Sequence, residues 1–177
     1  MKIVIVNGYP GCGKTTFELF CKDIMGPYCR SRSTVDKIKA LARRGGWDGR
    51  KTPEARKLLS DLKDLFTQFN DMPFQDIVSH LEQFKAELTQ YGVEEQSALF
   101  FVDSREPQEL KRFREELGAI VIFIQRDNDG NFSNHADANV ENFDYDYIID
   151  NNGTLEDLKV KAKKFLNLIF PENNDII

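Results

Sequence analysis

The chain opens MKIVIVNGYPGCGKTTFELF (residues 1–20), and this stretch decides the fold. Lys2 to Val6 is a short β-branched run that stops at Asn7-Gly8, the pattern of a strand buried on both faces. Gly8-Tyr9-Pro10-Gly11-Cys12-Gly13-Lys14-Thr15 then fits GxxxxGK[ST] at every fixed position, with a strand expected before it and a helix after. Glycines let backbone N–H groups curl around an anion, and a helix N-terminus adds its dipole. A lysine in that position reaches the β- and γ-phosphates, and the following hydroxyl can ligate Mg²⁺. Gly8, Gly11, Cys12, Gly13, Lys14, Thr15 and Thr16 are therefore the expected contacts of a nucleoside triphosphate. ATP is the expected donor, Mg²⁺ its cation, and Lys14 a catalytic group.

Working outward, 177 residues suffice for one domain with a sizeable core. A composition of 41% hydrophobic and 30% charged residues is that of an ordinary globular chain. The net charge of -5 argues against nonspecific nucleic-acid binding, which leans on a summed positive field. No apolar run approaches the roughly 20 residues needed to span a bilayer, so no membrane partner is expected. Cys12, Cys21 and Cys29 fit neither a zinc site nor a redox pair. With no signal-peptide pattern, a cytoplasmic location is expected.

Further along, hydrophobic periodicity predicts a helix from Lys14 to Met25 and a short strand over Tyr28–Arg32. A helix capped by Ser33 or Thr34 follows, ending at Gly45-Gly46. Thr52-Pro53 reads as the start of another, running to Asn70, and a fourth spans Phe74–Tyr91. ALFFV (98–102), AIVIFI (119–124) and YDYIID (145–150) read as strands, with helices over Pro107–Leu117 and Leu155–Phe170. Thr154 with Asp157 has the form of a capping box. The alternation implies an α/β fold: a three-layer α/β/α P-loop NTPase with a five-stranded parallel sheet and a helical acceptor-binding insert. The expected organisation is a single kinase domain with its core at 1–32 and 97–177 and the insert at about 33–96.

Ligands in such sheets bind at the carboxyl ends of the strands. Asp103 follows ALFFV, where a carboxylate helps to hold Mg²⁺ or simply forms a turn. Thr15 and Asp103 are thus the metal candidates. Arg105 and Arg126 follow two of the strands, where a guanidinium faces the phosphates or lies on the surface. Neither His80, inside an expected helix, nor His135, in a polar loop, suggests a catalytic base. Neither a GTPase-type NKxD motif nor the length of a motor is present.

The segments NGYPGCGKTTF, STVDKIKALARRGGWDGRKTPEARKLLSDLKDL, FFVDSREPQELKRF and YDYIIDNNGTLEDL together resemble the nucleoside monophosphate kinase group of P-loop kinases. The likeness is greatest to deoxynucleoside monophosphate kinase-like proteins of phages and bacteria. It implies ATP-dependent phosphoryl transfer to a (deoxy)nucleoside monophosphate, and it adds a lid at about 127–143. The resemblance suggests Ser33, Lys51 and Arg56 as acceptor contacts, with Trp47 stacking on a base or packing beneath the flap. It also puts Asn152, with Asn151 and Gly153, where such kinases touch the donor's base through backbone groups. Independently, the concentration of Lys and Arg between Arg30 and Lys63 would attract a dianionic acceptor to an otherwise acidic chain.

One departure stands out: residues 127–143, DNDGNFSNHADANVENF, carry no Lys or Arg where the family's lid carries arginines. Either the lid closes without cations, or Arg105 and flap residues compensate, or turnover is poor. Two other readings stay open: a P-loop kinase of another small metabolite, and a nonenzymatic ATP-binding regulator.

Overall fold

The computed structural model describes residues 1–127 and 143–172. In chain order its elements are β1 (Lys2–Asn7), α1 (Lys14–Met25), β2 (Cys29–Ser33), α2 (Asp36–Arg44), α3 (Pro53–Asn70), α4 (Met72–Gln90), β3 (Leu99–Asp103), α5 (Pro107–Leu117), β4 (Ile120–Gln125), β5 (Tyr147–Asp150) and α6 (Leu155–Ile169). The strands form one five-stranded sheet in the order β2-β3-β1-β4-β5. β1 pairs in parallel with β3 and β4, and β4 in parallel with β5. The expected α/β architecture with a five-stranded parallel sheet is therefore present. Among the described residues, no helix is long and apolar enough to cross a membrane.

The chain divides into two compact units, Met1–Ser31 with Leu88–Ile177, and Arg32–Glu87. In the first, alternate residues of the strands (Val4 and Val6, Leu99 and Phe101, Ile122 and Ile124) join Phe17 and Cys21 of α1 and Leu158, Phe165 and Leu166 of α6 in one core. The Phe17 ring lies 5.6 Å from Phe165 and 6.4 Å from Phe101, centroid to centroid. A ring of that size fully removed from water contributes about 1.5–3 kcal/mol. The intervening residues Ile5, Phe100, Val102 and Val121 are buried too, so the sheet is covered on both sides, which is why these strands read as unbroken apolar runs. The three cysteines are free and buried; burial pushes the Cys29 thiol up to about 12 and raises that of Cys21 as well.

In the second unit, α2 and α3 are in contact, and Ile38, Ala42, Phe74, Ile77, Leu81 and Phe84 are buried. Thr52 caps α3 as expected, its side chain accepting from Ala55 N at 3.2 Å. The cap expected at Ser33 or Thr34 is instead Val35, which offers no side-chain acceptor. The Ser33 N–H donates to Asp36 Oδ2 at 2.9 Å, and Thr34 is buried. α4 starts at Met72, two residues before the expected Phe74, because Pro73 is tolerated in a first turn. α6 carries the expected capping box of Thr154 and Asp157.

Candidate functional site

The chain leaves β1 toward the β3–β2 side of the sheet and leaves β4 toward β5, so the carboxyl ends of β1 and β4 flank a switch in chain direction. Open α/β sheets bind ligands at such points. The segment at that point is Gly8–Thr15. The register brings Val6 beside Asp103 and Asn7 beside Phe123, so Asp103 stands at the same end as the loop.

The loop is braced from several sides. Asn7, fully buried, accepts from Gly8 N at 2.8 Å and donates to the Tyr145 hydroxyl at 2.9 Å. Gly8 has φ +148°, and a Cβ there would lie 2.5 Å from the backbone oxygen of Ile124. Gly13 has φ +104°, and a Cβ there would lie 2.3 Å from Asn151 Nδ2. Both positions thus require glycine for shape as well as for backbone conformation. Asn151, at the end of β5, uses that space to donate Nδ2 to Cys12 O at 2.7 Å. Tyr9 packs edge-on against Phe123, which stacks on Tyr145.

Lys14 opens α1, and its ammonium donates to Gly8 O at 2.7 Å and Tyr9 O at 2.8 Å. Burial lowers its pKa; Cys12 and Asp103 act in the opposite direction, and Arg105 adds to the lowering. Asp103 and Arg105 thus both lie within electrostatic reach of Lys14. No side chain caps the N-terminus of α1, and Thr15 is exposed there. The Cys12 N–H donates back to Tyr9 O at 3.2 Å, so this amide is engaged inside the loop. Arg126 is exposed at the end of β4. Asn152 accepts from Asp127 N and donates to Asp150 Oδ1, each at 2.7 Å. It ties the start of the arginine-free stretch to the end of β5. Residues 128–142 of that stretch lie outside the described residues.

Glu18 has no counterpart among the sequence-derived candidates. It is 7% exposed, one turn along α1 from Lys14 and Thr15. Its carboxyl lies within electrostatic reach of Asp103 and Lys14. Burial and the Asp103 charge push the Glu18 pKa up. Its Oε1 has no hydrogen-bond partner among the described residues. The signal lay in its neighbours: Phe17, Phe20 and Cys21 make this an apolar stretch of helix interrupted by one acid.

Ser33, Trp47, Lys51 and Arg56 all belong to the Arg32–Glu87 unit. Trp47 is half-buried; its Nε1 donates to Arg50 O at 2.9 Å, and the Arg43 guanidinium lies 5.5 Å from its ring centre. Lys51 and Arg56 are exposed and make no ion pair among the described residues. By contrast, Arg32 donates Nε and Nη2 to Asp76 Oδ2 at 3.0 and 2.8 Å, and Lys37 approaches Asp76 Oδ1 at 3.7 Å. Asp76 is 7% exposed, an acid on the buried side of α4 that helical periodicity does not flag.

No protein-family model and no curated protein matches the chain. Among solved structures, an unliganded sugar kinase from Janibacter sp. HTCC2649 is similar over 94% of this chain and 95% of that one, at 16% identity and a TM-score of 0.46. That degree of likeness fixes neither activity nor acceptor.

Proposed function

We propose that the chain is a P-loop phosphotransferase that moves the γ-phosphoryl group of ATP to a (deoxy)nucleoside monophosphate. The observation that carries this reading is the braced Gly8–Thr15 loop at the sheet's switch point, with Asp103 and Arg105 around Lys14. The start of α1, whose N-cap Gly13 supplies no side-chain cap, supports binding of an anion there, since the first N–H groups of a helix have no intrahelical partner. Lys14 would exchange its loop carbonyls for phosphate oxygens, and the guanidiniums of Arg105 and Arg126 would face the transferred group.

Phosphoryl transfer rests on positioning and on neutralising charge spread over the migrating group, which the cationic side chains supply. An acceptor that is already a phosphate anion needs no strong base. Among the described residues no group of three or more His, Cys, Asp or Glu side chains is placed to hold a metal ion by itself. Mg²⁺ fits this donor set, because it keeps several waters and takes one or two carboxylates together with substrate phosphates. Asp103 and the Thr15 hydroxyl would hold it, and when bound it would neutralise charge on the β- and γ-oxygens. Ser33, Lys51, Arg56 and Trp47 would receive the acceptor, and Asn152 would border the donor's base.

The test is ADP release measured across ribo- and deoxynucleoside monophosphates. Turnover with one of them is expected. Activity confined to a non-nucleotide acceptor would move the assignment to another small-molecule kinase. The absence of Lys and Arg from 127–143 favours a second reading, an ATP-binding regulator. ATP binding with no turnover on any acceptor would select it.

A further inference from the structure

Resting on the phosphate-site reading of Gly8–Thr15, we propose that Glu18 is a further ligand of the divalent cation, its carboxylate joining that of Asp103. Three observations meet here. Glu18 follows Lys14 and Thr15 at helical spacing, so it lies on their face of α1. Its carboxyl lies within electrostatic reach of both Asp103 and Lys14, so it stands on the side of the site. Its Oε1 is buried without a hydrogen-bond partner among the described residues, an expensive condition for a carboxyl oxygen. Filling space between Phe17 and Cys21 would be served better by Leu or Met.

Lys14 does not resolve the problem, because its ammonium is committed to Gly8 O and Tyr9 O. A divalent cation between the two acids removes their like-charge conflict and gives Oε1 a partner. Hard oxygen donors are what Mg²⁺ takes, and two carboxylates plus phosphate oxygens and water complete its shell.

The rival role for Glu18 is to hold Asp103 in place through a hydrogen bond alone. Glu18→Gln separates the two, since an amide N–H still offers Asp103 a donor but the ligating charge is gone. Mn²⁺, used as the probe, is titrated into the full chain by EPR, with and without ATP. Glu18→Gln, Glu18→Met and Asp103→Asn are compared with wild type, and thermal melts check each fold. ATP binding is measured separately in EDTA. Glu18→Gln and Glu18→Met are expected to weaken Mn²⁺ binding by about tenfold or more. Without metal they should melt at or above the wild-type temperature, because each relieves the paired acids. Should Gln fail to fold, the apolar Met variant still tests whether Mn²⁺ binding depends on Glu18. Mn²⁺ affinity within about twofold of wild type in the folded variants overturns the proposal, as does a wild type that binds no Mn²⁺. Wild-type Mn²⁺ binding that depends on Glu18, without ATP binding, would leave this site standing and overturn the kinase reading instead.

Discussion

The loop Gly8–Thr15 and the basic stretch from Arg30 to Lys63 send the same kind of signal in the sequence, cationic side chains among glycines, and the fold treats them differently. In the loop, Asn7, Asn151 and Lys14 each hydrogen-bond to its own backbone, and two glycines leave no room for a side chain. In the basic stretch Arg32, with Lys37 beside it, is held by a buried acid, while Lys51 and Arg56 stand in solvent. A loop shaped in advance spends little binding energy on ordering, whereas exposed long side chains lose rotamer freedom when a ligand engages them. Under the proposed function, the difference would be that of a donor site built before its ligand arrives and an acceptor surface completed by its ligand.

Gly13→Ala should break the braced side hardest. Left-handed backbone at a non-glycine residue, with a Cβ 2.3 Å from Asn151, is expected to cost about 3 kcal/mol in stability. A thermal melt reads this, and equilibrium dialysis should find ATP binding lost. A variant with unchanged melting and affinity would mean that the loop is not held by close fit. Lys14→Ala comes next: the fold is retained, and turnover falls by about a hundredfold or more, some 3 kcal/mol of lost transition-state stabilisation. Single-turnover kinetics measure it.

On the other side, Asp76→Ala probes the one braced point. The loss in urea unfolding is expected at about 2 kcal/mol, less than for a fully buried pair, because Arg32 and Lys37 keep solvent contact. The smallest effect on the fold belongs to Lys51→Ala and Arg56→Ala. Each should change stability by about 0.5 kcal/mol or less. Each should also raise the KM for the acceptor about tenfold through loss of a charged hydrogen bond, with kcat little altered. Unchanged KM in both would remove these residues from the acceptor surface and sharpen the search toward Arg43, Arg44 and Arg50.

Much of this was legible because burial writes itself into the sequence. The runs at β1, β3 and β4 are apolar throughout, since the sheet is covered on both faces, and α1 begins and ends where its glycines say. α3 was legible as a helix but misleading as core: its residues follow helical spacing, yet none is buried, and Leu58, Leu65 and Phe69 are exposed. Lys14, Asp103 and Arg105 could be brought together from strand ends alone. Glu18 and Asp76 could not, because a charged residue on an amphipathic helix is read as surface unless its partner is known, and the partners come from other elements. Asn151 was noticed for its place at the end of β5, but what matters is its side-chain amide, which reaches back to Cys12 O.

That last bond joins residues separated by 139 positions. Contacts of such long range are costly in loop-closure entropy and tend to form late. The conformation of Gly8–Thr15 is written in the first fifteen residues but is completed only when β5 docks beside β4, near the other end of the chain. During synthesis the motif emerges well before Asn151 and matures after it. A nascent chain halted before Asn151 carries the whole phosphate-loop sequence without the hydrogen bond that sets its shape.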